Sequence, residues 1–385
     1  TFTGSSATAF AANETLNIGI IGTGGRARHL MKSLAKIDGV RVSHLCDVWD
    51  GALSQAAPLA DPKAAATKAY PELLADKSID AVLIGTSDHQ HVPVTVAALQ
   101  AGKDIYVEKP LTHTLEEGPR ILAAQERAKK IVQVGTQQRS MPHIQKAKQL
   151  VKEGVIGKVL KVKMSWNRNT NRVKRFPLGV DPRQVDWKAF LGPAPDQPFD
   201  EYKFRNWRWF WDFGGGIFTD LMVHWVDVAH YVLDLDRPLQ AVSLGDFVAA
   251  QGVWETPDSV QTMLSYPGHV QMHFEGTFSN ARHGARIEFL GTEATLYADR
   301  GRLELIPERN KLVQGFTEIL GKTPNYPGAD FYDQPDGELL HLQNWIDCIR
   351  SRKEPTAPIA AGVAAAAAAH LANQALRTGK TARFS

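Results

Sequence analysis

Two short segments of the sequence hold residue types that could carry chemistry, Gly22–Ala27 and Glu108–Pro110. The first reads Gly-Thr-Gly-Gly-Arg-Ala, and its glycines leave backbone N–H groups open to the close approach of a phosphate. The second places Lys109 after a short, largely apolar run, and a lysine ammonium can stabilise a developing alkoxide by hydrogen bonding. Together the segments predict a dinucleotide and a reactive lysine in one site.

The glycine segment stands in the context that a pyrophosphate-binding loop requires. It follows the apolar run Leu16–Ile21 and precedes a stretch with helical periodicity, Arg28–Ile37. Strand, glycine turn and helix in this order are typical of folds that bind a dinucleotide at the helix N-terminus. Gly22 and Gly24 supply the absent side chains, and Ala27 fills the third small position, where the helix packs closely on the strand.

The carboxylate of Asp47 predicts which dinucleotide binds. A second apolar run, Val40–Cys46, ends immediately before it, and Asp47 lies twenty residues after Ala27. A carboxylate at this distance accepts hydrogen bonds from the adenosine ribose and repels a 2′-phosphate, which favours NAD over NADP. Arg26 and Arg28 could offset that repulsion, so NADP stays an alternative.

A second cluster of chemical residues lies between Gly214 and His224. Its run of glycines lets the chain pass close to a ligand, and Thr219 is predicted to cap a helix that begins there. Asp220 and His224 are then four residues apart on one helix face. His224 titrates near neutral pH and can take a hydroxyl proton while a hydride leaves the same carbon, and Asp220 can hold a neighbouring hydroxyl or orient the imidazole.

Two other interpretations of this cluster stay open. Asp220 and His224 could be a buried histidine and its carboxylate partner, a common structural arrangement. Asp220, His224 and Asp227 also have a spacing that would permit metal binding, although one histidine and two carboxylates are not a distinctive ligand set. We therefore predict no metal.

Tryptophan, arginine and asparagine accumulate in two segments, 166–169 and 202–211. Indole faces stack on the C–H faces of a sugar, while planar donors and acceptors meet its hydroxyl groups. An aromatic oligomer interface is an open alternative for the same tryptophans. The predicted substrate-binding residues, with the cluster above, are Trp166, Arg168, Arg208, Trp209, Asp220 and His224.

The elements that must position these residues divide the chain into two parts. From Leu16 to about Gly135 apolar runs alternate with amphipathic stretches, which indicates a parallel sheet with right-handed crossovers. After about Gln138 apolar and polar residues alternate with period two, which indicates a largely antiparallel sheet with a few helices. The prediction is an α/β protein with a Rossmann domain at 15–137 and, at 138–385, an α+β domain with a large, mostly antiparallel open sheet.

The second domain is predicted to bind substrate and to mediate assembly. An open sheet needs its second face covered, so we predict a homo-oligomer, a dimer or a tetramer, joined through that face. Helices are predicted at 338–350 and 360–376, and the alanine run 364–369 fits a closely packed helix. The last helix is predicted to pack back on the first domain.

Composition argues against several classes of partner. The formal charge is only +3, no basic stripe with interleaved aromatics occurs, and no uninterrupted apolar run could span a bilayer, so neither nucleic acid nor a membrane is predicted. Cys46 and Cys348 lack metal-ligand spacing and are predicted to be packing residues. The segment 1–14 predicts an N-terminal arm or the remnant of an export signal, hence a periplasmic or exported protein, otherwise a cytoplasmic one. Export would require a tightly bound cofactor, because free dinucleotide is scarce outside the cytoplasm.

Together these motifs resemble the glucose–fructose oxidoreductase, inositol dehydrogenase and rhizopine-catabolism (Gfo/Idh/MocA) family of NAD(P)-dependent enzymes. The most specific matches are Gly22–Ala27, the stretch from Ala81 to Pro110, and Gly215–Asp227. The resemblance implies that Lys109 is the catalytic lysine and that Asp220 and His224 are the catalytic aspartate and histidine.

The resemblance also implies where the cofactor is held. Asp47 would contact the ribose, and Gln137 would lie near the domain junction. The family usually has proline where Ser87 stands, which puts the shape of that loop in question. With the glycine segment included, the predicted cofactor-binding residues are Gly22, Thr23, Gly24, Gly25, Arg26, Asp47, Gly85, Thr86, Ser87, His91, Glu108, Lys109 and Gln137.

Three functions are consistent with these residues. The first is an NAD(P)-dependent oxidoreductase acting on a secondary hydroxyl of a sugar, cyclitol or glycoside, in which His224 exchanges the proton and Lys109 steadies the alkoxide. The second is an NAD-dependent glycosidase that retains its cofactor and works by transient C3 oxidation, elimination and hydration. The third is a non-catalytic nucleotide- or carbohydrate-binding protein, against which the joint presence of Lys109, Asp220 and His224 argues.

Overall fold

The first half of the chain builds a parallel sheet. The structure is a computed structural model that describes residues 15–170, 173, 178–320 and 336–384, so the predicted N-terminal arm or export remnant lies outside the described residues. The strands are β1 Leu16–Ile21, β2 Val40–Cys46, β3 Ala65–Thr67, β4 Ala81–Ile84, β5 Asp104–Val107 and β6 Val132–Val134. Their order is β3-β2-β1-β4-β5-β6, and every neighbouring pair is parallel.

Helices flank this sheet because its central strands are apolar on both sides, and β4 and β5 are buried at every residue. The helices are α1 Gly25–Leu34, α2 Asp50–Ala56, α3 Tyr70–Ala75, α4 Asp88–Gln100 and α5 Glu117–Ala128. Helix α1 begins earlier than the predicted Arg28, because the glycine loop itself supplies the first helical residues. Its N-terminus therefore lies at the carboxyl end of β1.

The second half of the chain builds a mixed sheet. Its described strands are β7 Val159–Asn167, β8 Gln240–Asp246, β9 Ser259–Ser265, β10 Gln271–Thr277, β11 Ala285–Gly291, β12 Ala294–Asp299, β13 Arg302–Pro307, β14 Phe316–Ile319 and β15 Ala382–Arg383. The order is β14-β13-β12-β11-β7-β10-β9-β8-β15, with β7 and β10 parallel and the other pairs antiparallel. The predicted fold class is confirmed.

Helices pack on one face of the mixed sheet and reach across to the parallel one. They are α6 Pro142–Lys152, α7 Trp187–Leu191, α8 Glu201–Arg205, α9 Val223–Leu233, α10 Gly337–Ser351 and α11 Ile359–Thr378. Helix α11 packs against α9 and β8 and also contacts β6 and α5, while α10 packs against α1. Within the described ranges α11 alone has the length and composition of a membrane span, and 67% of that stretch is buried inside the protein, as in a globular core helix.

The opposite face of the mixed sheet lies open. Period-two alternation leaves Val242, Leu244 and Met263 on it with 48%, 75% and 49% of their surface exposed. Their neighbours along β8 and β9 point the other way into the core. Both cysteines are buried free thiols, as predicted.

The segment around Asp220 folds differently from the prediction. Helical structure begins at Gly216, and Phe218–Met222 forms a π-helical turn that runs into α9. Thr219 therefore lies inside the helix, where its hydroxyl donates to the carbonyl of Gly216 at 3.4 Å, and the prediction that it caps the helix is wrong. Wide turns of this kind are frequent at functional sites, because they shift side chains out of the regular 3.6-residue register.

Candidate active site

A cavity of about 810 Å³ opens between the carboxyl ends of the parallel strands and the ends of β7 and β12 in the second sheet. This is the place where open α/β sheets bind ligands. It contacts all but two of the predicted site residues, the exceptions being Thr23 and Trp209. The predicted residues that line it are Gly22, Gly24, Gly25, Arg26, Asp47, Gly85, Thr86, Ser87, His91, Glu108, Lys109, Gln137, Trp166, Arg168, Arg208, Asp220 and His224.

The glycine loop has the shape that a pyrophosphate needs. A Cβ built on Gly24 or Gly25 meets nothing within 4 Å, so the first turn of α1 opens onto free space. Gly22 has a φ of +83°, and a Cβ there would come within 2.7 Å of the backbone of Gly85. Only glycine allows this close approach of the loops that follow β1 and β4.

Asp47 is tied to the same loop. Its Oδ2 accepts hydrogen bonds from the N–H of Thr23 at 2.7 Å and the Thr23 hydroxyl at 3.2 Å, and its Oδ1 accepts from the N–H of Trp49 at 3.0 Å. Burial raises the pKa of Asp47, although these hydrogen bonds oppose the shift. Thr23 is fully buried, so it orients Asp47 from behind and does not face the cavity.

Three buried polar atoms in the cavity wall fit a bound dinucleotide. The Oγ1 of Thr86, the Oε1 of Gln137 and the Nη2 of Arg26 have no hydrogen-bond partner among the residues that the structure describes. Buried polar groups are rarely left unpaired in proteins, so such atoms indicate a ligand that satisfies them. The site residues thus fit NAD, which offers hydroxyl, amide and phosphate groups along its length.

Arg26 joins three distant parts of the chain. Its Nε donates to Glu108 Oε1 and its Nη1 donates to Glu338 Oε1, each at 2.7 Å. His29 also contacts Glu338, at 3.0 Å. The glycine loop, the segment before Lys109 and the first turn of α10 are therefore held by one guanidinium.

His91 and Ser87 shape the loop after β4. The ring nitrogens of His91 lie 2.7 Å from the carbonyl oxygen of Pro110 and 3.2 Å from that of Thr86, and burial lowers the pKa of this histidine to about 4. His91 therefore links the β4 loop to the segment that carries Lys109. Ser87 has a φ of −72°, a value that proline also adopts, so the backbone at this position accommodates either residue.

Lys109 and Asp220 form an ion pair inside the cavity. The Lys109 ammonium donates to the backbone carbonyl of Asp220 at 2.7 Å and to its Oδ1 at 3.0 Å. The Nε of Arg208 donates to the same Oδ1 at 3.1 Å. Burial raises the pKa of Asp220, but Lys109 and Arg208 outweigh burial and hold that pKa well below its usual range. Asp220 is therefore ionised.

His224 lies beside this pair with a neutral imidazole. It is 7% exposed, and its ring is tilted against that of Trp166 with 5.1 Å between centroids. Burial, and after it the positive charges of Lys109 and Arg300, lower the pKa of His224 well below its ordinary value. A neutral imidazole next to an ammonium can accept a proton from a hydroxyl group.

The predicted substrate residues separate into two groups. Trp166, Arg168 and Arg208 line the cavity. Trp209 does not, because it stacks on Trp254 at 4.2 Å within the core and is only 3% exposed. Its neighbour Trp207, on the other side of the same turn, lines the cavity in its place.

The three residues of the alternative metal site, Asp220, His224 and Asp227, do not form a ligand cluster. Asp227 is fully buried and pairs with Arg139 at 2.8 Å. In the described ranges no group of three or more His, Cys, Asp and Glu side chains could hold a metal ion.

Sequence reasoning missed several residues of the site. Asp88 follows Ser87 directly and is buried next to the charges of Lys109, Arg208 and Asp220, and burial raises its pKa well above the ordinary range. Its position immediately after a strand and loop was the available signal. Arg300 lines the cavity from the end of β12, and Glu338 lies too far along the chain for any spacing to indicate it.

Comparison with known proteins agrees with this geometry. The family model described as "Oxidoreductase family, NAD-binding Rossmann fold" matches residues 16–136, and the one described as "GFO/IDH/MocA C-terminal domain" matches residues 144–297. The chain belongs to the Gfo/Idh/MocA family. The resemblance stated from the motifs and the prediction of an NAD-binding domain are thereby confirmed.

Individual relatives carry related names. Inositol 2-dehydrogenase of Salmonella typhimurium is 33% identical over 150 residues, which are 38% of this chain and 45% of that protein, so the match spans about half of the relative's length. "Inositol 2-dehydrogenase/D-chiro-inositol 3-dehydrogenase" of Halalkalibacterium halodurans is 26% identical over 372 residues, covering 95% of this chain and 92% of the relative. The structure of levoglucosan dehydrogenase in complex with NADH and levoglucosan superposes with a TM-score of 0.76 at 18% identity, covering 96% and 99% of the two chains. That likeness establishes the fold.

Proposed function

We propose that this protein is an NAD-dependent dehydrogenase that oxidises a secondary hydroxyl group of a sugar, cyclitol or glycoside. The observation that carries the proposal is the position of Lys109, Asp220 and His224 in one cavity with the glycine loop. NAD supplies the hydride acceptor when bound there. The names of the relatives, which are dehydrogenases of inositols and of levoglucosan, support a polyhydroxylated substrate.

The side chains divide the remaining work. His224 is neutral, so it accepts the hydroxyl proton as the C–H bond opens. The Lys109 ammonium donates to the oxygen that becomes an alkoxide, which stabilises charge where it develops. Asp220 holds the ammonium in place through its backbone carbonyl and its Oδ1. In the reverse direction the same groups return the proton to a carbonyl.

The test follows the absorbance of NADH when the purified protein meets NAD and a panel of sugars, cyclitols and glycosides. We expect Lys109→Met to abolish turnover while NAD still binds. Lys146→Met serves as the control, since this half-exposed lysine pairs with Glu318 outside the cavity. Full activity of the Lys109 variant contradicts the assignment.

The same assay separates the other two functions. Release of a reducing sugar from a glycoside without accumulation of NADH assigns the redox-neutral glycosidase, in which the cofactor is regenerated in each turnover. The aromatic wall at Trp166 and Trp207 suits a glycoside and is the observation in favour of this alternative. Sugar binding in a calorimeter with no reaction under any cofactor condition assigns a binding protein.

A further inference from the structure

Arg208 is held in a fixed orientation in the cavity wall. Its guanidinium lies over the ring of Trp207 with 4.2 Å between the Cζ atom and the ring centroid. Its Nε donates to Asp220 Oδ1 at 3.1 Å. A cation–π contact on one face and a hydrogen bond at Nε fix both the plane and the rotation of the group.

The other edge of this guanidinium lies at the cavity. Neither Nη atom of Arg208 donates to a described residue, and the side chain keeps 35% of its surface exposed at the cavity. Two parallel N–H groups on a planar fork match the two oxygens of a carboxylate and form a bidentate pair. Asp220 does not fill this role, because only the Nε of this guanidinium donates to it.

Four cationic side chains line this end of the cavity. Asp220 is a single carboxylate shared by two cations, Lys109 and Arg208. Arg168 and Arg300 line the same end, with their guanidinium groups over Trp166 at 5.6 Å and 4.8 Å. A negative substrate group is attracted into such a cleft.

We propose that the substrate is an acidic carbohydrate whose carboxylate is bound by the Nη edge of Arg208. The inference rests on the proposed function and names its substrate class, a uronic or aldonic acid. The carboxylate pairs with Arg208 while a secondary hydroxyl on the same molecule lies between Lys109 and His224. The reaction is unchanged: bound NAD would supply the acceptor for the C–H hydride, the O–H proton passes to His224, and the carboxylate is not altered.

The experiment compares each acid with a neutral partner of the same shape. The probes are D-glucuronate and D-galacturonate, their methyl esters, D-glucose and D-glucose 6-phosphate. We expect kcat/KM for the free acids to exceed that for the esters by about tenfold to a hundredfold, the range that charge-assisted hydrogen bonds give. Titration calorimetry with NADH bound measures glucuronate binding without turnover.

Substitutions at Arg208 separate charge from geometry. In Arg208→Met the ratio of acid to ester kcat/KM should collapse toward one, because the loss falls mainly on the acid. Arg208→Lys should restore part of the ratio, since an ammonium carries the charge without the fork. Arg183→Met is the matched control, as Arg183 is 88% exposed and pairs with Asp181 outside the cavity.

The outcomes distinguish this inference from the proposed function. Equal turnover of acid, ester and glucose, or a preference for glucose 6-phosphate, overturns the proposed carboxylate site at Arg208. The proposed dehydrogenase activity is then unaffected. Glucuronate binding to the NADH complex that depends on Arg208, with no oxidation of any probe, supports the carboxylate site and overturns the dehydrogenase. If the protein neither binds nor oxidises any of the acids, the inference is overturned.

Discussion

The ammonium of Lys109 lies 3.0 Å from Oδ1 of Asp220 and 2.7 Å from its backbone carbonyl oxygen. The first residue follows β5 of the parallel sheet, and the second lies in the π-helical turn before α9. The pair therefore joins the two halves of the molecule at the point where the chemistry is proposed. It also gives Asp220 a role that can be tested apart from that of Lys109.

Asp220→Asn should lower kcat by about a hundredfold while leaving the fold and NAD binding intact, because an amide cannot neutralise the ammonium. Steady-state kinetics with circular dichroism and NAD titration measure the three quantities. Asp246→Asn, on the exposed end of β8, should behave as the wild type. A kcat within twofold of the wild type in Asp220→Asn would show that Lys109 needs no anionic partner.

Stability should fall as the pH drops from about 6.5 toward 4. Burial lowers the pKa of His89, His91, His341 and His370 to about 4. An unfolded histidine binds its proton below about 6.5, so in this interval the unfolded state holds more protons and is favoured by acid. Each such histidine contributes up to about 3 kcal/mol of stability at neutral pH that is lost on acidification.

Urea unfolding at a series of pH values measures this dependence. His370→Gln should reduce the slope of unfolding free energy against pH, whereas His283→Gln, at an exposed position, should not. A slope of the same size in His370→Gln would assign the acid sensitivity to other groups.

Glu338→Gln should weaken NAD binding by about tenfold, because Arg26 in the glycine loop loses one of its two carboxylate partners. Calorimetric titration of NAD gives the dissociation constant. Glu304→Gln removes an ion pair with Arg302 at 2.8 Å on the other sheet and is the matched control. An unchanged dissociation constant in Glu338→Gln would show that the ion pair between Arg26 and Glu338 does not contribute to cofactor binding.

We propose that the cofactor stays bound through purification. Residues from the second half cover the cavity beside Asp47, since the N–H of Asp186 donates to the carbonyl of Val48 at 2.8 Å and Arg205 lies over the Trp49 ring at 4.6 Å. Mass spectrometry of the native protein should detect NAD, and Trp49→Ala should be recovered without it. Cofactor-free wild-type protein contradicts the proposal.

We propose that copies of the chain associate through the open face of the mixed sheet. Val242, Leu244 and Met263 are apolar and exposed there, and burying them would remove that surface from water. Leu244→Asp with Met263→Glu should shift the mass measured by light scattering toward that of one chain. Leu312→Asp, at an exposed apolar residue outside the strands, is the control. An unchanged mass in the double variant locates the interface elsewhere.

Local patterns predicted the strands well. Ala81–Ile84 and Asp104–Val107 have the expected bounds, because a strand buried on both faces is a continuous run of apolar residues. The side chains at the ends of these strands followed from that placement, and the cavity brings Gly22, Asp47 and Lys109 together. Spacing therefore indicated residues that line one cavity, and their roles stay predictions.

Features that depend on distant packing were not predictable. The π-helical turn that moved Thr219 inside the helix has no local signature, and a single step along one turn decides that Trp207 and not Trp209 meets the cavity. Glu338 is 312 residues from Arg26, so only the folded chain shows the pair.

The ion pair between Arg26 and Glu338 also determines when, during translation, the contacts of the glycine loop can be completed. A nascent polypeptide that has left the ribosome only as far as β6 already contains the glycine loop, but the carboxylate that completes its guanidinium clamp is still untranslated. The clamp on Arg26 can therefore be completed only after translation has passed Glu338 in the first turn of α10.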